Sequence, residues 1–338
     1  MIISRTPFRV SLFGGGSDHP LWFKKNSGRV LSFSIDKYCY LTTRVLPPFF
    51  DHKYRIAYSQ IETLSSVEKI KHPVVRECIV KYAPMFNLEI HHDGDLPARS
   101  GIGSSSAFAV GMIHALLALQ NQTISRTALA DLAIEMEHEI LKENVGWQDQ
   151  IACALGGINL IEFGPDRVWQ SLPLRLGSVT EEDLISRMVL IYTGVTRSSS
   201  DVTVGLLSKL NPNDKNSPMI RVMELARDCH SLIASSGDFD LIGEMLDESW
   251  KLKKSLNNQA TNSLLDDWYV KGKNAGALGG KVLGAGGGGF ILYWVKRGQR
   301  EEFIKKLGPA TVIPFKICHE GSTIIYRGPK EEIGYRNE

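Results

Sequence analysis

Leu96-Pro97-Ala98-Arg99-Ser100-Gly101-Ile102-Gly103-Ser104-Ser105-Ser106-Ala107 is the stretch on which the reading of this chain turns. It lies between a strand-like run, Leu88-Glu89-Ile90-His91-His92, and a run with apolar residues at helical spacing, Ala107 to Leu119. Gly101 and Gly103 permit positive φ and let a ligand come close to bare backbone. The first N–H groups of the following helix lack intrahelical partners, and with the helix dipole they make an anion site. Ser104, Ser105 and Ser106 add three hydroxyls, one of them a candidate oxygen ligand for Mg2+. The same residues also suit a flexible turn closed by a serine cap, but the strand–loop–helix order favours phosphate. No lysine follows the last glycine, as a GK[ST] loop requires, and the glycine spacing is not that of a dinucleotide fingerprint.

Two more glycine clusters lie outward from this loop. Phe13-Gly14-Gly15-Gly16-Ser17-Asp18 follows the alternating run Arg9 to Phe13, and is either a hairpin turn or a ligand loop that presents Asp18. Leu283-Gly284-Ala285-Gly286-Gly287-Gly288-Gly289-Phe290 joins two apolar runs. Each such loop loses conformational entropy when it orders, a loss that a polyanionic ligand offsets. A helical pattern from Thr127 to Leu141, with Ser125 as its N-cap, carries Glu135, Glu137 and Glu139, an arrangement that most often marks a solvated face. Asp149 stands between Trp147 and Ile151, and a carboxylate held among large apolar side chains is paired or functional. Thr193 to Ser200 ends a strand and is rich in donors; it suits either a second sugar or phosphate site, through Thr193 and Arg197, or a helix cap.

The chain has 338 residues, 43% apolar and 22% charged, with a net charge of +2. That length fits two domains with real cores. The near-neutral balance argues against a protein built to grip nucleic acid, and no apolar run approaches the ~20 residues of a membrane span. Met1 to Arg5 reads as a strand start rather than a signal peptide. The five cysteines are scattered and form no CxxC pair, which points to a reducing cytoplasm. Val30 to Ile35, Tyr38 to Val45, Ile158 to Phe163, Met188 to Tyr192, Phe290 to Val295 and Thr323 to Tyr326 read as strands. Ser217 to Ser235, Phe239 to Leu256 and Ser263 to Ala275 read as helices. The weakly patterned stretch Asp166 to Ser186, with Pro173, places a domain boundary that divides the chain into 1–175 and 176–338. Strands and helices without strict alternation suggest two α+β domains.

Together the three glycine loops resemble the motifs of the GHMP kinase superfamily (galactokinase, homoserine, mevalonate and phosphomevalonate kinases) across essentially the whole chain. The motifs are Pro7 to Asp18, Leu96 to Ala107 and Lys281 to Phe290. The resemblance implies an α+β fold: an N-terminal domain with a left-handed β-α-β unit, followed by a ferredoxin-like C-terminal domain. It implies ATP and Mg2+. Arg99, Gly101, Ile102, Gly103, Ser104, Ser105 and Ser106 would surround the ATP phosphates, with Ser105 and Glu137 on the metal. Asp149 matches the catalytic aspartate and Arg9 the arginine paired with it. Asp18 matches a residue that binds sugar hydroxyls, near Gly15, Gly16 and Ser17, with Gly286 and Gly287 of the third loop also at the substrate. Partners would be ATP and a sugar phosphate, with no nucleic acid or membrane; a homodimer is allowed.

Galactokinases carry a Glu-His pair where this chain has Gly15 and Gly16. The first motif, His91 to Arg99, and Val145-Gly146-Trp147-Gln148-Asp149-Gln150 look most like the D-glycero-D-manno-heptose 7-phosphate kinases. Those kinases phosphorylate the anomeric hydroxyl to give the 1,7-bisphosphate, on the route to GDP-heptose for surface polysaccharide such as lipopolysaccharide or capsule. A fucokinase-like enzyme and a catalytically inactive sugar or nucleotide sensor are the alternatives. A phosphorylated acceptor needs further cations, for which Arg99, Lys37, Arg197 and Arg29 are candidates.

Overall fold

The computed structural model describes residues 1–166, 168–196, 202, 205, 211–214 and 216–329. In chain order, the first part comprises β1 (Ile2–Phe13), α1 (Pro20–Asn26), β2 (Gly28–Val45), β3 (Tyr54–Ala57), β4 (Ile61–Leu64), α2 (Pro73–Tyr82), β5 (Leu88–Gly94), α3 (Ser104–Leu119), α4 (Arg126–Glu135), α5 (Gln148–Leu155), β6 (Ile158–Phe163) and β7 (Trp169–Leu174). The second part comprises α6 (Ser178–Ser186), β8 (Met188–Tyr192), α7 (Pro218–Ala234), α8 (Asp240–Leu256), α9 (Ser263–Ala275), β9 (Gly279–Val282), β10 (Phe290–Trp294), α10 (Arg300–Leu307), β11 (Thr311–Ile313) and β12 (Thr323–Arg327).

The two strands expected at Val30 to Ile35 and Tyr38 to Val45 are one strand of 18 residues, β2. It pairs antiparallel with β1 over most of its length, from Ile2↔Thr43 to Phe13↔Leu31. On its other edge it changes partner. Gly28–Phe33 pairs with β6 and Cys39–Val45 with β5. A late segment of the chain fills the gap between them, where Ile35 bridges Ile317 and the Asp36 N–H donates to the Lys316 carbonyl at 3.0 Å. The sheet order is β12-β1-β2-β5-β3-β4, and β6 and β7 extend it from the first half of β2. Pro173 lies in β7, which among the described residues pairs with β6 alone, an edge position that suits a residue without an N–H.

α3 is apolar all round, and 12 of its 16 residues are buried. It lies against β1 at Gly111, where an added Cβ would stand 2.9 Å from Thr6 Oγ1. The Ser4 hydroxyl donates to the Gly111 carbonyl at 2.9 Å. This close seat sets the direction in which the helix N-terminus, and the serine loop before it, points.

The second sheet has the order β11-β8-β10-β9 and is antiparallel throughout. With helices between β8 and β9 and between β10 and β11, this is the ferredoxin-like arrangement that the resemblance implied. α8 lies on β9 without intervening side chains: a Cβ on Gly279 would meet the Gly243 carbonyl at 1.9 Å. β12 then returns to the first sheet and pairs with β1, so the two sheets are not contiguous halves of the chain. Ser322 Oγ lies 2.8 Å from Thr6 Oγ1 and 3.0 Å from His114 Nδ1, tying this last strand to β1 and α3. Among the described residues no helix is long and apolar enough to cross a membrane.

Candidate functional site

The three glycine loops converge on one cleft between the first sheet's helices and α7 and α8. Gly101 (φ +82) and Gly103 (φ +72) both take the left-handed conformation, and Gly103 is the N-cap of α3. A Cβ on Gly101 would stand 2.6 Å from the Leu283 carbonyl, and one on Gly284 2.5 Å from the Gly101 Cα. The second and third loops therefore meet backbone to backbone. The first loop is held from within: the Ser17 hydroxyl donates to the carbonyls of Gly14 (2.7 Å) and Arg29 (2.9 Å) and accepts from the Arg29 N–H at 3.0 Å.

Asp149 stands in the first turn of α5 and meets Arg9 of β1 in a two-pronged contact. Nε donates to Oδ1 and NH2 to Oδ2, each at 2.7 Å. The third prong, NH1, donates to the Gly101 carbonyl at 2.6 Å, which ties the pair to the serine loop. Burial works against the Arg9 charge, but attraction and hydrogen bonding to Asp149 outweigh it and raise the Arg9 pKa above its usual value. Gln148 supports the pair. Its Nε2 donates to Asp149 Oδ1 at 3.1 Å, and its Oε1 accepts from the Ser11 hydroxyl at 2.7 Å. Ser11 reaches it because residues two apart on a strand share a face, here that of Arg9.

Asp18 is buried on the other side of Gln148 from Asp149, close enough for the two carboxylates to repel. Its carboxylate accepts from the Gly16 N–H (2.8 Å) and the Gln148 N–H (3.2 Å). Gly146 makes this approach possible, since a Cβ there would lie 1.8 Å from Asp18 Oδ2. Burial, then repulsion from Asp149, raise the Asp18 pKa against the pull of those N–H bonds.

The helix expected from Thr127 to Leu141 breaks its period just before Glu137. The α-helix ends at Glu135, and Met136–Ile140 forms a π turn, with the Leu141 N–H donating to the Met136 carbonyl at 2.9 Å. Glu137 is buried within this turn, whereas Glu135 and Glu139 remain exposed. Its carboxylate accepts from the Ser106 hydroxyl, at 3.1 and 3.0 Å, and from the Gln150 side-chain amide. Both partners are neutral. Burial, then repulsion from Glu143, push Glu137 up to about 8, against the bonds from Gln150 and Ser106. Sequence reading paired Glu137 with Ser105. The structure seats Ser106 there instead, because successive helical residues point about 100° apart and only one hydroxyl of the run faces Glu137. A buried carboxylate with a hydroxyl and, among the described residues, no cationic partner fits a hard cation such as Mg2+. Among the described residues no group of three or more His, Cys, Asp or Glu is placed to hold a metal, so the remaining oxygens would be those of hydroxyls, water or a bound phosphate.

Of the expected site residues, Arg9, Gly15, Gly16, Asp18, Arg99, Gly101, Gly103, Ser104, Ser105, Ser106, Glu137, Asp149 and Gly286 line the cleft. Others do not. Ile102 buries its side chain in the core, and its carbonyl accepts from the Arg9 N–H at 3.1 Å. Ser17 is fully buried and engaged in bracing its own loop. Thr193 donates its hydroxyl to the Gly289 carbonyl at 2.7 Å and so staples β8 to the third loop. Gly287 turns away, its N–H bonded to the Ala260 carbonyl at 2.9 Å. Arg197 lies outside the described residues. Arg29 pairs with Glu162 at 2.7 Å, and Lys37 lies 3.8 Å from Asp36; neither lines the cleft. Sequence reading missed Ser11, His19, Glu143, Gln148, Lys253 and Lys281, all of which line it. Ser11 and Gln148 carried a signal as neighbours of Arg9 and Asp149, and Lys281 as the first residue of the third motif.

The chain matches the family described as GHMP kinases N terminal domain over residues 68–157, and GHMP kinases C terminal over residues 225–313. It is 30% identical over 318 residues to the D-glycero-alpha-D-manno-heptose 7-phosphate kinase of Campylobacter jejuni, covering 90% of this chain and 93% of that protein. It is 24% identical over 325 residues to the bifunctional fucokinase/GDP-fucose pyrophosphorylase of Arabidopsis thaliana, covering 89% of this chain but 30% of that longer protein. The crystal structure of a D-glycero-D-manno-heptose 1-phosphate kinase from Bacteriodes thetaiotaomicron superposes with a TM-score of 0.78 at 24% identity, covering 97% of this chain and all of that one. The chain belongs to the GHMP kinase family and is a kinase.

Proposed function

We propose that this chain transfers the γ-phosphoryl group of ATP to the anomeric hydroxyl of D-glycero-D-manno-heptose 7-phosphate, giving the 1,7-bisphosphate that feeds GDP-heptose synthesis. The observation that carries this reading is the two-pronged Arg9–Asp149 contact, tied through Gly101 to the serine loop at the N-terminus of α3. Phosphoryl transfer needs positioning and charge neutralisation more than covalent help, and the cleft supplies both.

In this reading the free N–H groups at the start of α3 and the Ser104 and Ser105 side chains hold the ATP phosphates, with Arg99 above them. Glu137 and Ser106 would hold Mg2+, which would supply positive charge to the triphosphate. Asp18 and the bare backbone of Gly15 and Gly16 orient the sugar. Asp149 accepts the proton of the attacking hydroxyl as its oxygen bonds to the γ-phosphorus and the bond to the β–γ bridging oxygen breaks. ADP leaves, and the proton passes from Asp149 to solvent. Arg9 fixes both carboxylate oxygens, which holds the proton acceptor in place through the step.

The acceptor assignment is supported by the identity to the C. jejuni heptose 7-phosphate kinase, and by Gly15 and Gly16, which offer backbone where a galactose-binding Glu-His pair would offer side chains. The test is ADP release with a panel of heptose 7-phosphate, unphosphorylated heptose, fucose and galactose. Turnover with heptose 7-phosphate at least about tenfold above the others is expected, since a buried polar site left unpaired discriminates strongly. Turnover with fucose alone would transfer the assignment to the fucokinase-like alternative.

A further inference from the structure

Two lysines line the cleft without an anion among the described residues to balance them. Lys281, in β9, is 5% exposed, and its ammonium donates to the Leu12 carbonyl at the end of β1, at 2.8 Å. Lys253, in α8, donates to the carbonyls of Val282 (3.2 Å) and Gly284 (2.6 Å). An ammonium has three donors, so two remain on Lys281 and one on Lys253. Among the described residues no carboxylate bonds to either. The charged groups that each feels are cations, Arg9 for both and Lys281 for Lys253; burial and that repulsion lower both pKa values, Lys281 to about 7. Their neighbour Arg9 is already matched by Asp149. Placing two like charges in a poorly solvated wall, beside a third, is unfavourable unless an anion arrives to complete the set.

The position says which anion. Lys281 is anchored to the strand that carries Arg9, and Lys253 to the Gly284 carbonyl, whose residue abuts Gly101 of the serine loop. Both ammonium groups therefore stand at the reacting end of the cleft. We propose that Lys253 and Lys281 form a two-cation seat for a phosphoryl group of the bound ligands. This rests on the kinase reading; Lys253 lies outside the three motifs, and Lys281 opens the third without having been given a role there. Two sources carry that chemistry: the terminal phosphate of the nucleotide and the phosphate already on the acceptor sugar.

The experiment compares wild type, Lys253→Met and Lys281→Met by calorimetric titration with three ligands. These are the β,γ-imido analogue of ATP with Mg2+, heptose 7-phosphate, and unphosphorylated heptose. Loss of at least about tenfold in affinity for the ATP analogue or for heptose 7-phosphate, with heptose itself unchanged, is the expected result, and the ligand that weakens identifies the source. Variants that bind both phosphorylated ligands within about twofold of wild type overturn the lysine seat and leave the kinase reading standing. A wild-type protein that binds no ATP analogue overturns both. Should a variant fail to fold, acetic anhydride labelling of the wild type carries the test, with exposed Lys142 as the reference. Protection of Lys253 and Lys281, but not of Lys142, by either phosphorylated ligand supports the seat; equal labelling with and without both ligands overturns it.

Discussion

Arg9 and Asp149 bring both signs of charge to one end of the cleft, whereas Lys253 and Lys281 bring only one sign to the wall beside it. The first pair is complete in the free protein: two bonds of 2.7 Å, a third from Arg9 to Gly101, and Gln148 behind. Among the described residues, the second hydrogen-bonds its lysines to backbone carbonyls, with Lys253 also over the Trp250 ring. A balanced pair needs no ligand to be stable, so it can be held ready for a proton transfer. An unbalanced pair gains most when an anion binds. Chemistry and binding are thus divided between neighbouring cations according to whether the fold provides the counter-charge.

Asp149→Asn is the largest blow to the balanced end. It keeps the shape but removes the proton acceptor, and kcat should fall by about 10³-fold, while the affinity for an ATP analogue stays within about threefold. Steady-state kinetics beside a titration would check this; a kcat within tenfold of wild type would remove Asp149 from the proton transfer.

Gly103→Ala probes the same pair from behind. The new Cβ would stand 3.0 Å from Arg9 Cγ and 3.5 Å from Asp149 Oδ2, at φ +72. A loss of about 1–2 kcal/mol in stability and roughly tenfold in kcat is expected, read by denaturant unfolding and steady-state rates. An unchanged rate would mean that the pair tolerates displacement.

Ser17→Ala separates loop bracing from substrate contact. Three bonds to Gly14 and Arg29 are lost, so stability should fall by about 1–3 kcal/mol while the sugar KM stays within about twofold at a temperature where the variant is folded. A selective rise in KM would return Ser17 to the substrate.

The last test reads a direction rather than a size, for Glu137 in chelator. Its pKa in the folded protein is about 8, against an ordinary 4.5. Between those values the folded state keeps a proton that the unfolded state has released, so stability falls as pH rises across the window. Tm measured at pH 5 and pH 8 should drop in wild type, and drop less in Glu137→Gln. Equal slopes would indicate that Glu137 does not titrate in this window.

The compensated end was legible in the sequence, whereas of the lysine wall Lys281 stood in the third motif without a role and Lys253 stood in none. Arg9, Asp18, Asp149 and the serine run stand at fixed distances from glycines, and those glycines are needed wherever backbone meets backbone or ligand. Lys253 is followed by Lys254 on an amphipathic helix, a pattern that reads as a solvated face; Lys254 does lie beside Asp266 at 3.2 Å. Only the packing of α8 on β9 turns Lys253 inward. Strand and helix identities followed from residue pattern, as with Met188–Tyr192 and Ser263–Ala275. The exchange of partners along β2 and the π turn at Glu137 depend on tertiary contacts that local pattern does not carry. Thr193 and Ser17 make bonds that local pattern does not announce, for a related reason: a hydroxyl beside a glycine loop serves a backbone carbonyl as readily as a ligand.

The most direct test of the account is phosphorus NMR of wild-type protein mixed with ATP, Mg2+ and heptose 7-phosphate. The account predicts a new anomeric phosphate signal that grows in step with ADP, and that is lost with Asp149→Asn. ATP that binds but yields no sugar-linked phosphate, or an anomeric signal that grows at the same rate with Asp149→Asn, would contradict it.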